Sequence, residues 1–313
     1  MEILTKAEIE SRYDAEKARG LIEAGFIAYS RGQVQLPPVQ HFAFATANGD
    51  ACVKSGYLEG DDVFAVKVAS GFYDNGKRGL SSNQGLIVVF SALTGEPRAL
   101  LLDEGLLTAL RTALAGQIAA RMLAPTRVHG IGVLGTGEQA RRQLEALQQV
   151  TDCKTVHVWG RSLASLDAFR EAMHVRMKGF VFHPTLDAEE VARACNLIVS
   201  TTPSTTPILH ADWIMPGTHI TAVGADAQGK QELATALVAK ADVIVVDSRI
   251  QCEGFGEVSH ARRAGLIRAD QLIELGALLC KEASGRQNDR QVTIADLTGL
   301  AIQDVQIAKS ILR

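Results

Sequence analysis

A glycine-rich turn between two strongly patterned segments is the first feature of this chain that could do chemistry. The apolar run Ile131–Leu134 leads into Gly135-Thr136-Gly137-Glu138-Gln139-Ala140, and a helix-like segment follows. In such a strand–turn–helix unit the first glycine permits a tight turn, the second lets the backbone approach a pyrophosphate, and the small third residue packs helix on strand. Free N–H groups at the start of the helix bind phosphate oxygens. The turn therefore predicts a dinucleotide site at residues 135–139.

The end of the next predicted strand selects between the two nicotinamide dinucleotides. NAD sites usually place an acidic residue there, about 20 residues after the turn, where it binds the ribose hydroxyls. Here Gly160-Arg161-Ser162 occupies that position and contains no carboxylate. Because a guanidinium and a small hydroxyl suit a 2′-phosphate, we expect NADP(H) in preference to NAD(H). The alternative is that Arg161 is a solvated residue at the start of a helix.

Four charged residues with apolar or small neighbours are the candidate catalytic and substrate-binding groups. Lys67 interrupts the apolar run 64–69 and Lys54 has a similar setting, so each either faces solvent or lines a cleft. Arg111, in an Ala-rich helix, either binds a substrate carboxylate or makes a structural ion pair. Asp226 follows a predicted parallel strand, at the edge where open α/β sheets bind ligands, unless it caps a helix.

Composition and motifs exclude several other classes of protein. The 313 residues are 47% hydrophobic and 21% charged with a net charge of −3, so neither nucleic acid nor a membrane surface is an expected partner. We found no long apolar segment and no secretory signal, which favours the cytoplasm. The sequence contains neither HExxH nor GxSxG, and its 5 cysteines form no CxxC pair, so no metal is expected.

The elements that position these residues change in type near Pro125. Before it, short alternating runs separated by turn signals predict a mostly antiparallel sheet, preceded by a helix over about residues 14–31. After it, strand-like and helix-like segments alternate, which predicts a parallel sheet covered by helices. The expected fold class is α/β: a Rossmann-type doubly wound parallel sheet plus a mixed α+β domain.

Six segments, in this order, resemble the ornithine cyclodeaminase/mu-crystallin family. They are residues 66–68 (VKV), 79–82 (GLSS), 107–113 (LTALRTA), 132–137 (GVLGTG), 222–226 (AVGAD) and 298–304 (TGLAIQD). The resemblance runs from about residue 30 to the C-terminus. It implies a homodimer, a substrate-binding and dimerisation domain of residues 1–122 and 300–313, and a dinucleotide-binding Rossmann domain of residues 123–299.

The resemblance also implies roles for the candidate residues. Lys67 and Arg111 would bind the substrate carboxylate, and Asp226 would move protons at the substrate nitrogen, which makes Asp226 and Lys67 the expected catalytic residues. We expect Lys54 and Gly299 to complete the substrate site. Thr112 and Thr201 join the expected cofactor site.

Family members act on the C2–N bond of small amino or imino acids with NAD(P), so an imino acid (ketimine) reductase or an amino acid dehydrogenase is expected. One alternative is ornithine cyclodeaminase, which forms proline and ammonia. Another is an NADPH-dependent ligand-binding protein without turnover. Many members have an arginine after the Pro37-Pro38 pair, where this chain has Val39, which argues against ornithine. Lys54 and His41 are the candidate replacements for that arginine.

Overall fold

The computed structural model describes residues 1–312 and divides them into two compact units. Unit 1 comprises Met1–Arg111 together with the described residues from Leu300 onward, and unit 2 comprises Thr112–Gly299. The sequence places this boundary between residues 122 and 123, whereas the observed division lies inside the Ala-rich helix. The difference arises because compact units follow spatial packing, while the change of sequence pattern at Pro125 marks only the end of that helix.

Unit 1 contains a seven-stranded, mostly antiparallel sheet, as predicted. Its strands are β1 (Glu2–Thr5), β2 (Val34–Gln35), β3 (Gln40–Phe44), β4 (Gly49–Leu58), β5 (Val63–Phe72), β6 (Asn83–Ser91) and β7 (Pro97–Leu102). They are ordered β1-β7-β6-β5-β4-β2, with β3 also paired to β4. Only β1 pairs in parallel, with β7. Asn48 at φ 46° and Gly95 at φ 75° adopt the left-handed conformation at two of the predicted turns.

The first three helices of the chain differ in how well the sequence predicts them. They are α1 (Lys6–Arg12), α2 (Ala15–Ser30) and α3 (Leu106–Leu123). The side chain of Asp14 caps α2 by accepting from two backbone N–H groups, which explains why that helix begins where it was expected. Helix α1 has only 7 residues, which is too short for a periodic pattern of apolar residues to show in the sequence.

Unit 2 contains an eight-stranded parallel sheet with helices between its strands. Its strand order is β10-β9-β8-β11-β12-β15-β13-β14. The strands are β8 (Ile131–Leu134), β9 (Thr155–Trp159), β10 (Val181–Thr185), β11 (Leu197–Ser200), β12 (His219–Ala222), β13 (Val243–Val246), β14 (Leu272–Glu274) and β15 (Thr293–Asp296). The helices are α4 (Glu138–Leu147), α5 (Leu163–Arg176), α6 (Ala188–Ala194), α7 (Thr235–Lys240), α8 (Arg249–Gly254), α9 (Glu257–Arg263) and α10 (Leu275–Leu279).

The central strands of unit 2 are buried along their whole length, as expected for a sheet covered on both faces. Two hydrophobic clusters fill the unit. One joins β8 and β9 to α4 and α5, and the other joins β11, β12, β13 and β15 to α6, α7 and α9. The doubly wound architecture predicted from the alternating segments is confirmed.

The last helix, α11 (Ala301–Ile311), belongs to unit 1, where it packs on α2 and on the sheet strands β4, β5 and β6. Gly299, at φ 86°, precedes it in a conformation that a right-handed helix does not contain. No helix within residues 1–312 is both long enough and apolar enough to span a membrane.

Candidate active site

Three elements of unit 1 bring a buried group of charges together. Lys67 on β5 donates to Asp304 on α11, with Nζ 2.8 Å from Oδ1. Arg111 on α3 places its Nε 3.1 Å from the same oxygen and donates through Nη1 to Gln303 at 3.1 Å. Lys67 and Asp304 are each 2% exposed and Arg111 is 7% exposed. The sequence left the orientation of Lys67 open, and the structure places it inside the protein.

Lys54 adds a second lysine beside this group. It lies opposite Lys67 on the neighbouring strand β4 and is itself buried. Both lysines project to the sheet face covered by α11, because Gly56, two residues after Lys54, packs against that helix. Lys54, Lys67 and Arg111 therefore surround a single carboxylate, that of Asp304.

The proton affinities of this cluster follow from burial and from the uneven charge balance. Burial lowers the pKa of Lys67 to about 8; Asp304 opposes that shift, while Arg111 and Lys54 add to it. Burial alone would raise the pKa of Asp304, but the three cations outweigh burial and hold that pKa below its ordinary value. Lys67 can thus exchange its proton near neutral pH, whereas Asp304 remains an anion.

The cluster has the chemistry of a carboxylate-binding site. The charged forms of Lys54, Lys67 and Arg111 outnumber the two nearby carboxylates, those of Asp304 and of the buried Asp103, so an additional anion is electrostatically favoured. The Arg111 guanidinium does make the structural ion pair that the sequence allowed. Its Nε is nonetheless buried without an aligned hydrogen-bond acceptor among the described residues, as is the Nε2 donor of Gln303.

Asp304 and Gln303 are the functional candidates that the sequence analysis missed. Asp304 falls within one of the family-like segments, but its partner Lys67 is 237 residues away in the chain. The available signal was a carboxylate between apolar residues in a predicted helix, because an aspartate is rarely buried without a partner. No local pattern could identify Lys67 as that partner.

The predicted dinucleotide turn in unit 2 has the geometry that the sequence requires. Gly135 adopts φ 115°, and a Cβ there would approach Thr201 Oγ1 to 2.6 Å, so the position needs glycine. Gly137 precedes the first residue of α4 and faces open space, with no atom within 4 Å of an added Cβ. An open cradle at the start of a ten-residue helix fits the pyrophosphate of a dinucleotide.

The other predicted cofactor residues surround this turn or follow the neighbouring strands. Thr136 lies in the turn, and its methyl group would be 2.9 Å from a Cβ added at Gly160. Glu138 and Gln139 open α4. Thr201 follows β11 and donates its hydroxyl to the Leu134 carbonyl at 3.0 Å.

Arg161 is exposed just after β9, and Ser162 caps α5 by accepting from the Ser165 backbone. Ser162 thus follows β9, where a residue that binds a 2′-phosphate is expected, and one lone pair of its hydroxyl oxygen already accepts from the Ser165 N–H. Thr112, the first residue of unit 2, accepts from the side chain of Gln143 through its backbone carbonyl at 2.9 Å.

Asp226 and Gly299 lie in unit 2, whereas the carboxylate-binding cluster belongs to unit 1. Asp226 lies in the loop after β12, where its half-exposed side chain pairs with Lys230 at 2.7 Å. It does not cap the next helix, because the residue at the start of α7 is Ala234. Gly299 donates its backbone N–H to Asp247 at 2.6 Å. His41 is exposed on β3, and no residue yet accounts for the arginine that Val39 replaces.

A family model covers residues 1–312 of this chain and describes the ornithine cyclodeaminase/mu-crystallin family. The chain belongs to that family. The resemblance to this family that the six segments indicated is thus confirmed, and so is the α/β fold with a parallel sheet and a mixed sheet.

Several relatives of known name match nearly the whole chain. A candidate dehydrogenase of Rhizobium meliloti (strain 1021) is 40% identical, covering 98% of this chain and 94% of that protein. An alanine dehydrogenase of Archaeoglobus fulgidus is 36% identical, covering 98% and 92%. An iminosuccinate reductase of Paracoccus denitrificans is 33% identical, covering 99% and 95%.

Solved structures show the same fold. An archaeal alanine dehydrogenase dimer with bound NAD is 35% identical and superposes with a TM-score of 0.90 over 99% of this chain and 94% of that one. The Δ1-pyrroline-2-carboxylate reductase of Thermococcus litoralis, in complex with NADH and L-proline, is 28% identical, with a TM-score of 0.91 over 99% and 96%. The neighbours therefore bind nicotinamide cofactors and act on amino or imino acids.

Proposed function

We propose that this chain is a nicotinamide-dependent oxidoreductase that reduces a small 2-imino acid to the 2-amino acid, with NADPH in preference to NADH. The observation that carries the proposal is the buried cluster of Lys67, Arg111 and Asp304, whose excess positive charge favours a carboxylate ligand. The named relatives support it, since alanine, iminosuccinate and pyrroline-2-carboxylate all carry a carboxylate next to a C–N bond.

Four residues have distinct roles in the proposed reaction. Arg111 and the Lys67 ammonium hold the substrate carboxylate, which fixes the position of the adjacent C2 carbon. Asp304 holds Lys67 and Arg111 in place. Asp226 holds or moves a proton at the substrate nitrogen: the protonated imine takes up a hydride at C2 to give a neutral amine, and this amine then gains one proton to become the ammonium form of the product. The bound dinucleotide supplies the hydride for C2.

The turn after β8 binds the pyrophosphate through the backbone of residues 135–139. The exposed guanidinium of Arg161 binds the 2′-phosphate, which supports the preference for NADPH. This preference is part of the proposal, because the two structural neighbours described above contain NAD and NADH.

The function is tested by following NADPH oxidation with a panel of cyclic and open-chain 2-imino acids, including both mono- and dicarboxylates. We expect turnover with at least one imine, and no release of ammonia from ornithine. Ammonia and proline from ornithine, without net change of the cofactor, would instead establish the cyclodeaminase alternative. Tight NADPH binding with no turnover across the panel would favour the ligand-binding alternative.

An Arg161→Ala variant tests the cofactor preference separately. Loss of one charged hydrogen bond costs about 1.5–3 kcal/mol, so the ratio of kcat/KM for NADPH over NADH should fall about 10- to 100-fold. The kcat/KM for NADH, which has no 2′-phosphate, is the internal control and should change little. An unchanged ratio would return Arg161 to the role of a solvated surface residue.

We also propose that the chain forms a homodimer through the sheet face of unit 1 that α11 does not cover. Phe64, Val66, Val88 and Phe90 project to that face, because their neighbours along β5 and β6 project to the buried one. The rings of Phe64 and Phe90 stack there with centroids 5.0 Å apart. A large apolar surface of this kind usually marks an interface, and the archaeal alanine dehydrogenase is a dimer.

A further inference from the structure

One buried carboxylate in unit 2 binds the ends of two neighbouring strands at once. Glu232 is 0% exposed. Its Oε1 accepts from the Thr202 backbone N–H at 2.6 Å. Its Oε2 accepts from the Ser200 hydroxyl at 2.9 Å and from the Gly224 backbone N–H at 3.0 Å. The three donors belong to the carboxyl ends of β11 and β12, so this side chain joins the two turns that follow those strands.

The first of these turns adjoins the dinucleotide cradle. Strand β11 pairs with β8, and Ser200 is in register with Leu134, the last residue before the glycine turn. The Thr201 hydroxyl donates to the Leu134 carbonyl, and its Oγ1 is the atom that a Cβ added at Gly135 would approach most closely. Glu232 therefore fixes backbone that lies directly beside the predicted cofactor residues.

The second turn carries Asp226. Gly224 begins this loop and Glu232 ends it, so the bond between the Glu232 carboxylate and the Gly224 N–H closes the loop on itself. Asp226 lies within the closed segment together with its partner Lys230. A closed loop leaves Asp226 fewer conformations than a loop held only at its backbone ends.

Further carboxylates hold Glu232 in place. Glu257, the first residue of α9, accepts from the backbone N–H groups of Glu232 and Leu233 at 2.7 and 2.9 Å. Asp296, at the end of β15, accepts from Val258 in the first turn of α9 at 2.9 Å. The position of Glu232 is thus tied to the sheet through a second element.

The fit at Gly224 shows how close this contact is. A Cβ added there would lie 2.2 Å from the Thr202 carbonyl oxygen and 2.4 Å from Glu232 Oε2. Only glycine lets the loop backbone reach the carboxylate. The bond between the loop backbone and the carboxylate therefore needs both the glycine at position 224 and the buried acid at position 232.

We propose that Glu232 is a positioning residue of the reaction: by closing the 224–232 loop onto the strand end beside the dinucleotide turn, it presents Asp226 to the substrate nitrogen in a fixed place. This inference rests on the proposed function, in which Asp226 handles the nitrogen proton. Glu232 itself is buried and acts through the loop. Substrate binding through Lys67 and Arg111, in unit 1, does not involve it.

The test compares Glu232→Gln with the wild type. The amide has the same shape but only one acceptor oxygen. Its NH2 group should face Ser200 and Gly224, because the Ser200 hydroxyl can accept as well as donate, so the bond to the Gly224 N–H is the one that is lost. We expect kcat for the imino acid to fall about tenfold or more, since small misplacements of a catalytic group are costly. We expect KM for the imino acid and the Kd for NADPH, measured by fluorescence, to change less than about threefold, since the residues that bind both remain.

Asp242→Ala is the matched control. Asp242 also accepts from a backbone N–H, that of Val292 at 2.7 Å, but it lies at the amino end of β13, on the opposite edge of the same sheet. We expect this variant to lose stability without a specific loss of kcat. If Glu232→Gln retains the wild-type kcat, or loses activity only in proportion to its unfolded fraction, the proposal is wrong.

Backbone hydrogen exchange tests the loop closure without any assay of activity. In Glu232→Gln, the amides of residues 223–231 should exchange about tenfold faster or more, while the same amides in Asp242→Ala keep their protection. Unchanged exchange in Glu232→Gln overturns the proposal. A wild type that reduces none of the imino acids refutes the proposed function, and the exchange experiment then decides on the loop closure alone.

Discussion

At the scale of single residues, the shared carboxylate of Asp304 explains how Lys67 and Arg111 can be buried and still attract a further anion, such as the carboxylate of the proposed substrate. Two buried cations without any anion would be strongly destabilising. A full complement of anions would leave no attraction for a substrate carboxylate. Asp304 and the buried Asp103 only partly neutralise Lys67, Arg111 and the nearby Lys54, so the site remains positive overall.

This balance predicts the pH dependence of substrate capture. Lys67 binds a carboxylate only as the ammonium ion, and its pKa is about 8, so kcat/KM for the imino acid should fall on the alkaline side near that pH. Asp304→Asn removes the anion that favours the ammonium form. The pKa of Lys67 then falls further, and the alkaline limb should move to lower pH by about one pH unit.

The measurement is a pH–rate profile of kcat/KM for both proteins. Asp61→Asn is a suitable control, because Asp61 pairs with Lys309 elsewhere in unit 1 and faces none of the three cations. Asp61→Asn should leave the alkaline limb of the kcat/KM profile at the same pH as in the wild type. An Asp304→Asn profile that coincides with the wild type would show that Lys67 is not the titrating group.

At the scale of elements, the two glycines of the turn after β8 have different roles. We expect Gly135 to matter for stability and Gly137 for cofactor binding. Gly135 needs glycine for its own backbone, since it has φ 115° and no space for a side chain. Gly137 has φ −76° and open space around it, so an alanine there is conformationally acceptable. The only atoms with which its methyl group would compete are those of a bound ligand.

Gly137→Ala should therefore fold normally and bind NADPH poorly. We expect the Tm to stay within about 2 °C of the wild type, since a surface substitution without strain costs at most about 0.5 kcal/mol. The Kd for NADPH should rise about tenfold or more, because the methyl group keeps the pyrophosphate from the backbone. Gly135→Ala, in contrast, should lower the Tm. Titration of cofactor fluorescence and thermal unfolding separate the two effects, and unchanged NADPH affinity in Gly137→Ala would place the pyrophosphate elsewhere.

The carboxyl edge of the unit 2 sheet makes a second prediction, which concerns stability. Burial raises the pKa of Glu232 to about 7, despite the hydrogen bonds that it accepts, and burial raises the pKa of Asp296 to about 7 as well. Glu257 also has a raised pKa, because it is buried and faces the other two acids. Between about pH 4.5 and pH 7 the folded protein thus holds protons that the unfolded chain has released, so these groups make the folded state progressively less stable as the pH rises from about 4.5 to about 7.

Glu232→Gln isolates one of these contributions, because the amide does not titrate. The free energy of unfolding of the variant minus that of the wild type should shift in favour of the variant between pH 5 and pH 8, by about 2–3 kcal/mol at 1.4 kcal/mol per pKa unit. Subtracting the wild-type free energy of unfolding at each pH also cancels the contribution of His219. Burial lowers the pKa of His219 to about 3, so its effect on stability has the opposite sign. Urea unfolding at several pH values gives the result, and a constant difference would mean that Glu232 does not titrate in this range.

The elements differ in how far the sequence could predict them, and the reason is the range of the interactions involved. The turn at 135–140 is local, so strand, glycines and helix are all visible within ten residues. The pairing of Lys67 with Asp304 and the contacts of Glu232 with Ser200 and Gly224 join distant segments, and no periodicity encodes them. Sequence reasoning therefore named the residues that we propose bind the ligands and missed the acids that hold those residues.

At the scale of the whole molecule, the sheet face of unit 1 that α11 does not cover is the surface through which we propose that the homodimer forms. Helix α11 packs over the face that contains Ile87 and Val89, both fully buried, while the opposite face presents Val66 and Val88 to the outside. A groove of about 420 Å³ on that side is lined by Tyr57, Phe64 and Val66 among others. An antiparallel sheet with two apolar faces is stable in water when both faces are covered.

Val66→Asp tests whether a second copy of the chain provides that cover. A carboxylate at the centre of a buried apolar interface would remain unpaired, which costs several kcal/mol per site and twice that in a symmetric dimer. We expect the wild type to elute at twice the monomer mass by light scattering, and Val66→Asp to elute at the monomer mass with its unit 2 cofactor affinity intact. Val175→Asp is the control, since Val175 is 78% exposed on α5, in unit 2. A Val66→Asp protein that remains dimeric would place the interface on another surface of the chain.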